Sequence, residues 1–320
     1  RVLWWLTLLH HDVSPVGSAF AYPKHPTFNF QLATYNFQLS TFNLQHNQPM
    51  WRLLQHPPAP GAWNMAVDEA VLEHCGRGDV PPTLRLYAWN PPCLSLGYAQ
   101  PLSDADLPRL KKRGWDAVRR LTGGRAILHA DELTYAVIAP PEEPLLAGSV
   151  LESYRRISAA LLAALMTLGI PAEALPKPQG AEAVPKQAQP VCFERPSDYE
   201  ITVHGRKLVG SAQARRKSGI LQHGSIPLHG DLTRITQVLA FPDEPARQEA
   251  AVRLLARATT VEAALGRRIP WEEAAESLAR AFQETLGVQL EPGELTPSEA
   301  ARAAELVRQK YAHPDWIERL

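Results

Sequence analysis

An excess of either charge is missing from this 320-residue chain: 33 Lys and Arg balance 33 Asp and Glu. Such a balance carries no basic footprint for nucleic acid, and that class of partner is set aside. Cysteine is scarce as well. The three present, Cys75, Cys93 and Cys192, cannot all pair and show no metal-ligand spacing, which points to a reducing cytoplasm and to no metal site. A secretory signal is not expected either: the apolar run Val2 to Leu9 resembles a signal core, but it is short, lacks a persuasive cleavage site and precedes a cytoplasmic-looking chain. Proline, by contrast, is plentiful at 29, mainly in connections, and the length allows one large domain or two modest ones.

Residues 1–49 differ from the rest. The chain opens on Arg1, and segments beginning at Thr27, Thr34 and Thr41 repeat every seven residues. They lack the charges and helix formers of a coiled coil. The expectation is a non-native extension ahead of a natural start at Met50, with a disordered targeting segment as the alternative.

Beyond Met50 the pattern alternates between strand and helix. Trp51 opens a first strand, and Trp63 to Cys75 reads as a helix that Gly76 can end. Thr83 to Ala88 and Cys93 to Leu96 read as strands, and Ser103 with Asp106 as a capping box before a short helix ending at Gly114. Cys75 and Cys93 are read as packing residues. A strand from Asp116 runs into Thr122-Gly123-Gly124-Arg125, where two glycines permit close backbone approach to a ligand. That loop is neither a Walker A nor a dinucleotide fingerprint. His129 could cap a strand end or face a pocket, and Glu132 to Ala139 returns as an apolar strand. Val150, Tyr154, Ile157, Leu161, Leu165 and Leu168 form a helical core stripe with Gly169 as its stop. Leu175 to Pro190 reads as a mobile connection, and Ala214 to Gly219 as a basic hairpin tip, solvated in preference to docking an acidic carrier.

In the last ninety residues, Thr259 with Glu262 and Thr296 with Glu299 look like capping boxes, and Pro270 and Pro297 suit first turns. Trp271 to Leu286 and Pro297 to Tyr311 read as helices with a short strand near Val288 between them, a region given a packing role.

The stretch from Val191 to Leu228 carries the chemistry. Tyr199, Ile201 and Val203 alternate with polar residues, and His204-Gly205 suits a tight turn. That turn would pair Val203 with Arg206, Thr202 with Lys207 and Ile201 with Leu208, leaving Lys207 on the polar face. Ile220 to Leu228 would complete a three-stranded meander. Cys192 stands just ahead. A free thiol titrates near 8.5, and a lysine within roughly 4–6 Å would favour the thiolate. Taken alone, Cys192 reads more readily as structural.

The surrounding motifs reverse that weighting. Cys192-Phe193-x-x-Pro196-Ser197-x-Tyr199-Glu200, the run from Gly205 to Gln213, Leu221 to Ile226, and Arg119 to His129 followed by Glu132-Leu133-Thr134-Tyr135 resemble the lipoate-protein ligase and octanoyltransferase family. Within it they are most similar to the LipM-type octanoyl-[acyl-carrier-protein]:protein N-octanoyltransferases, over nearly everything from Trp51 to Leu320.

An α+β class with a mixed, largely antiparallel sheet and flanking helices is expected from the order of elements. The resemblance implies the biotin/lipoate protein ligase catalytic fold over residues 50–268, with its core at about 81–268, and a helical C-terminal extension over 269–320. It further implies Cys192 as acyl-thioester nucleophile and Lys207 as the residue that lowers the thiol pKa and moves protons. Arg120, Thr122, Gly123, Gly124, Arg125, His129, Gly210 and Ser211 would bind the acyl substrate, with backbone amides near Gly123-Gly124 or Gly210-Ser211 as oxyanion donors. No ATP, metal or other cofactor is expected. The partners would be octanoyl-acyl carrier protein and an apo lipoyl domain such as glycine cleavage H protein. Three alternatives stay open: an ATP-dependent lipoate ligase, an octanoyl amidotransferase between lipoyl domains, and an inactive acyl-domain binder.

Overall fold

The computed structural model describes residues 48–175 and 200–319. Cys192, its motif through Tyr199, and the tail through residue 47 lie outside the described residues. In chain order the strands are β1 (Met50–Gln55), β2 (Thr83–Tyr87), β3 (Cys93–Leu96), β4 (Asp116–Arg119), β5 (Ile127–His129), β6 (Glu132–Ala139), β7 (Glu173–Leu175), β8 (Glu200–Val203), β9 (Arg206–Lys207), β10 (Gly210–Arg216), β11 (Gly219–Pro227) and β12 (Gln289–Pro292). The helices are α1 (Gly61–Gly76), α2 (Leu107–Arg113), α3 (Val150–Thr167), α4 (Glu244–Arg257), α5 (Val261–Leu265), α6 (Trp271–Leu286), α7 (Pro297–Leu306) and α8 (Pro314–Ile317).

A six-stranded sheet in the order β10-β11-β6-β2-β1-β12 is the frame. The contacts β10–β11, β11–β6 and β6–β2 are antiparallel, and β2–β1 and β1–β12 are parallel. Strand β6 is buried along its whole length because both faces are covered. Its Leu133, Tyr135 and Val137 join a core with Ile157, Leu161 and Leu165 of α3 and Leu278 and Phe282 of α6. Its Ala136 and Ile138 join a second core with Val71 and Leu72 of α1 and Leu306 of α7.

Two small sheets flank this frame, β4-β3-β5 and β7-β8-β9. The expected three-stranded meander is therefore corrected. The His204-Gly205 turn and the pairs Thr202 with Lys207 and Val203 with Arg206 form as expected, but the chain then leaves that ribbon. Strands β10 and β11 pair with each other in the main sheet instead. Alternation identifies a strand but not the sheet it joins. Strand β7 pairs with β8, so regular structure extends to Leu175, where a loop was expected to begin.

Several boundaries shift by a residue or two. Asp106 alone caps α2, accepting from the Arg109 amide, and Ser103 lies in a preceding turn. Thr260, not Thr259, caps α5. Pro270 sits at the cap of α6 rather than inside its first turn. Val150 is exposed at the start of α3, since the core begins one turn later. The helix from Pro297 loosens into a wider turn over Val307–Tyr311. The C-terminal residues are woven into the frame: β12 is its edge strand, and Ser277 Oγ donates to the Ala164 carbonyl of α3 at 2.9 Å.

Candidate active site

A small cleft opens between β5 of one flanking sheet and β10–β11 of the main sheet. Arg120, Ile127, His129, Gly210, Ser211 and His223 line it, with Gly224 and Ser225. Four of the expected residues, Arg120, His129, Gly210 and Ser211, thus come together from segments that the sequence separates by some ninety positions. Glycine is required at 224, because a Cβ there would stand 2.5 Å from the Tyr135 ring and 2.7 Å from Ser211 Oγ.

Arg120 is the organising side chain. Buried, it donates through Nη1 to the Ser95 carbonyl (2.8 Å) and Ser95 Oγ (2.7 Å), and through Nη2 to the carbonyls of Gly123 and Arg125 (3.0 Å each). Its fork fixes the Thr122–Arg125 loop against β3, a task for a planar guanidinium rather than an ammonium. Gly123 and Gly124 are exposed, and Gly124 adopts φ +94°, a conformation that favours glycine. Arg125 pairs with Asp104 at 3.7 Å. It tethers the loop from outside and does not line the cleft.

Each cleft histidine is engaged at both ring nitrogens. His223 Nδ1 meets the Asp68 carboxylate at 3.2 Å, and its Nε2 meets Thr122 Oγ at 2.7 Å. A carboxylate only accepts, so Nδ1 carries the proton and Thr122 donates to the neutral ring. Burial, the largest influence, holds the His223 pKa below its ordinary value, which agrees with that neutral form. His129 repeats the arrangement, with Nδ1 on Glu132 at 2.7 Å and Nε2 on Ser95 Oγ at 2.6 Å. The Trp89 ring stacks on it at 4.0 Å. His129 is thus a pocket residue and not merely a strand-end cap. Glu132 also accepts from Thr134 Oγ at 2.5 Å and from Ser225 Oγ.

Thr122 therefore supports the cleft through His223 rather than lining it. Behind it, Asp68 accepts from Arg85 at 2.6 Å and from the Tyr87 hydroxyl at 2.9 Å, and desolvation is outweighed so that its pKa lies below the ordinary carboxylate value. Sequence reasoning missed Asp68, Ser95, Glu132 and His223 as site residues. His223 lay in plain view within Leu221 to Ile226; Asp68 lies 155 positions away from it, with no local signal.

Lys207 faces Thr202 across the β8–β9 ribbon as expected, is 5% exposed and forms an ion pair with Glu200. The ribbon is covered on that side by the segment after α4, where the Thr259 amide donates to the Lys207 carbonyl at 2.9 Å. Lys207 lies outside the cleft lining, three residues before Gly210. Cys75 and Cys93 are packing residues: burial pushes the Cys75 thiol up to about 12 and the Cys93 thiol well above its ordinary value.

The profile of the lipoyl protein ligase A/B catalytic domain matches residues 60–283. The chain belongs to that family. Curated relatives named octanoyltransferase LipM include one from Symbiobacterium thermophilum, 44% identical over 272 residues, covering 83% of this chain and 97% of that protein. Another, from Moorella thermoacetica, is 45% identical over 270 residues, covering 84% and 98%. Among solved structures, a chain from the archaeal lipoylation system of Thermoplasma acidophilum, a bi-partite lipoate protein ligase and its E2 lipoyl domain, aligns with TM-score 0.71 and 27% identity over 85% of this chain and 98% of that one. A lipoate-protein ligase A bound with ATP aligns with TM-score 0.67 and 26% identity, over 85% and 100%. The expected fold class, the mixed sheet with flanking helices, is that of the lipoyl protein ligase family. No described helix is long and apolar enough to cross a membrane.

Proposed function

We propose that this chain is an octanoyltransferase of protein lipoylation, moving an octanoyl group from an acyl carrier protein to a lysine of an apo lipoyl domain. One observation carries the reading: 44–45% identity along nearly the whole length of relatives named octanoyltransferases. The cleft supports it, since Ile127, Ala212 and glycine backbone offer an apolar wall beside a fixed guanidinium.

In the proposed reaction the Cys192 thiolate adds to the thioester carbonyl of the donor. The carbon–sulfur bond to phosphopantetheine breaks, and the departing sulfur takes up the proton that Cys192 lost. The acceptor amine then adds to the octanoyl-Cys192 thioester, a carbon–nitrogen bond forms as the carbon–sulfur bond to Cys192 breaks, and the amine proton returns to the departing Cys192 sulfur. Thioester exchange is nearly balanced and amide formation runs downhill, so no ATP is needed. Both cleft histidines are committed to buried carboxylates, which leaves proton transfer to Lys207 in this scheme. Lys207, held in β9 beside Glu200, supplies the positive charge that favours the thiolate. Gly210 and Ser211 line the cleft, and their amides are the proposed oxyanion donors. Glycine cleavage H protein is the proposed acceptor, in a cytoplasmic setting.

The second reading, an ATP-dependent lipoate ligase, is favoured by the ligase neighbours at 26–27% identity. Incubation with octanoyl-carrier and apo H protein, followed by intact mass, separates the two. Octanoylated H protein without ATP is expected. Acceptor modification that needs free acid and ATP would overturn the reading in favour of the ligase.

A further inference from the structure

The residue beside the cleft's organising arginine does a different job. Arg119 is fully buried, yet each acceptor it uses is a backbone carbonyl. Its Nη1 donates to Gly97 (2.9 Å), Tyr98 (3.3 Å) and Gln100 (2.6 Å). Its Nε reaches Trp316 and Ile317 at 3.2 Å each, and Nη2 reaches Ile317 at 2.6 Å. The latter two are terminal carbonyls of α8, which lack partners within their own helix and carry its negative end. In return the Trp316 indole donates to the Arg119 carbonyl at 2.9 Å. One guanidinium thus clasps the C-terminal segment to the Gly97–Gln100 loop.

That loop bears directly on both sides of the cleft. The Tyr98 amide donates to the Thr122 carbonyl at 2.8 Å, and a Cβ at Gly97 would overlap the Gly124 carbonyl, so the two glycine loops meet backbone to backbone. Tyr98 also lies under two cations, Arg319 of the C-terminal segment at 4.1 Å and Arg216 of the β10–β11 hairpin at 5.1 Å. The same hairpin carries Gly210 and Ser211. Residues 314–319 lie beyond the family match, which ends at residue 283.

We propose that Arg119, Trp316 and Arg319 are positioning residues, and that the C-terminal segment holds the glycine loop and the β10–β11 hairpin in register to shape the acyl cleft. The segment is a clasp on the site rather than mere packing. Its effect on turnover rests on the octanoyltransferase reading; its effect on loop order does not.

Hydrogen exchange followed by mass spectrometry tests the coupling without any activity. In Trp316→Ala, peptides covering 97–100 and 122–125 should exchange about 10-fold faster while β6 stays protected, because local opening need not follow global stability. If Trp316→Ala does not fold, Arg319→Gln, at an exposed position, should speed the same peptides by about 2–3-fold. Kinetically, Trp316→Ala should raise KM for the acyl donor about 5–10-fold with kcat within about twofold, the signature of lost substrate positioning. Gly97→Ala, at the far end of the clasp, should reproduce that split, and the double variant should be no worse than either single one. Faster exchange confined to residues 313–319, or fully additive effects, would overturn the proposal. Faster loop exchange in a protein that transfers no octanoyl group would keep the clasp and reject the assigned reaction.

Discussion

Two buried ion pairs brace neighbouring strands of the main sheet, and they are built to different ends. In the first, Arg52 of β1 forks onto Glu299 of α7 at 2.9 and 2.6 Å, and Glu299 also accepts from the Thr296 amide as part of a capping box. Arg52 also donates to Thr83 Oγ1 of β2 at 3.2 Å and to the Glu294 carbonyl at 3.3 Å, so the pair joins a helix to two strands, and none of these partners lines the cleft. In the second, Arg85 of β2 holds Asp68 of α1, but Asp68 passes on to His223, then Thr122 and the cleft. A similar cost of burying charge therefore serves anchoring in one place and site geometry in the other. A buried carboxylate in this family fold is informative through its next partner, not through its burial.

Asp68→Asn should have the largest effect, because it strips Arg85 of its counter-charge and His223 of the group that fixes its tautomer. A loss of about 3–5 kcal/mol in stability is expected from the uncompensated guanidinium. The fraction that folds should show transfer reduced about 100-fold, or about 2.7 kcal/mol of barrier. Denaturant melts and turnover per folded molecule measure the two separately. Unchanged turnover would erase the distinction between the two pairs.

Arg52→Met should cost a similar 3–5 kcal/mol by leaving Glu299 buried and unpaired. Turnover per folded molecule should nevertheless stay within about twofold, since none of the partners of Arg52 lines the cleft. The double variant Arg52→Met/Glu299→Leu should recover most of the stability, as a packed apolar pair can replace a buried ionic one. A comparable drop in turnover would show that this end of the sheet also shapes the site.

Acid sharpens the comparison more gently. Burial first, then the neighbouring Arg85, lowers the His56 pKa to about 4, and the His223 pKa is lowered as well. Both bind protons in the unfolded chain before the folded one, so their contribution is complete above about 6.5 and is lost as pH falls through their folded values, which for His56 is about 4. The depressed carboxylates Asp68, Glu132 and Glu299 add their losses as pH falls further, through their folded values. His56→Gln should flatten the stability profile between about 6.5 and about 4, read from denaturant midpoints. A profile identical to that of the parent would remove His56 from the acid response.

The sequence made the elements legible because their signals are local. The period of Ile157, Leu161 and Leu165, the Thr296–Glu299 box and the His204-Gly205 turn each lie within a few residues. It also drew Arg120, His129, Gly210 and Ser211 to one site through family motifs. The partners of those residues were less visible. Asp68, Ser95 and Glu132 are polar side chains at positions that local patterning assigns to surface or pleat, and only tertiary pairing makes their burial tolerable. The pairing of Lys207 with Thr202 was legible from the turn, but its burial was not, because the segment at Ala258–Thr259 that covers the ribbon lies far away in sequence.

Cys192 is the proposed acyl carrier, in contrast to Cys75 and Cys93, whose thiols burial pushes above the ordinary value. Mixing the protein with octanoyl-carrier protein, quenching in acid and mapping the peptides by mass spectrometry addresses this directly. One octanoyl group should appear on the Cys192 peptide without ATP, sensitive to hydroxylamine and chased off by apo H protein. Cys192→Ser should lose transfer about 1,000-fold, roughly 4 kcal/mol, while Cys75→Ser and Cys93→Ser retain it. An adduct on another residue, or wild-type transfer by Cys192→Ser, would remove Cys192 as the acyl carrier.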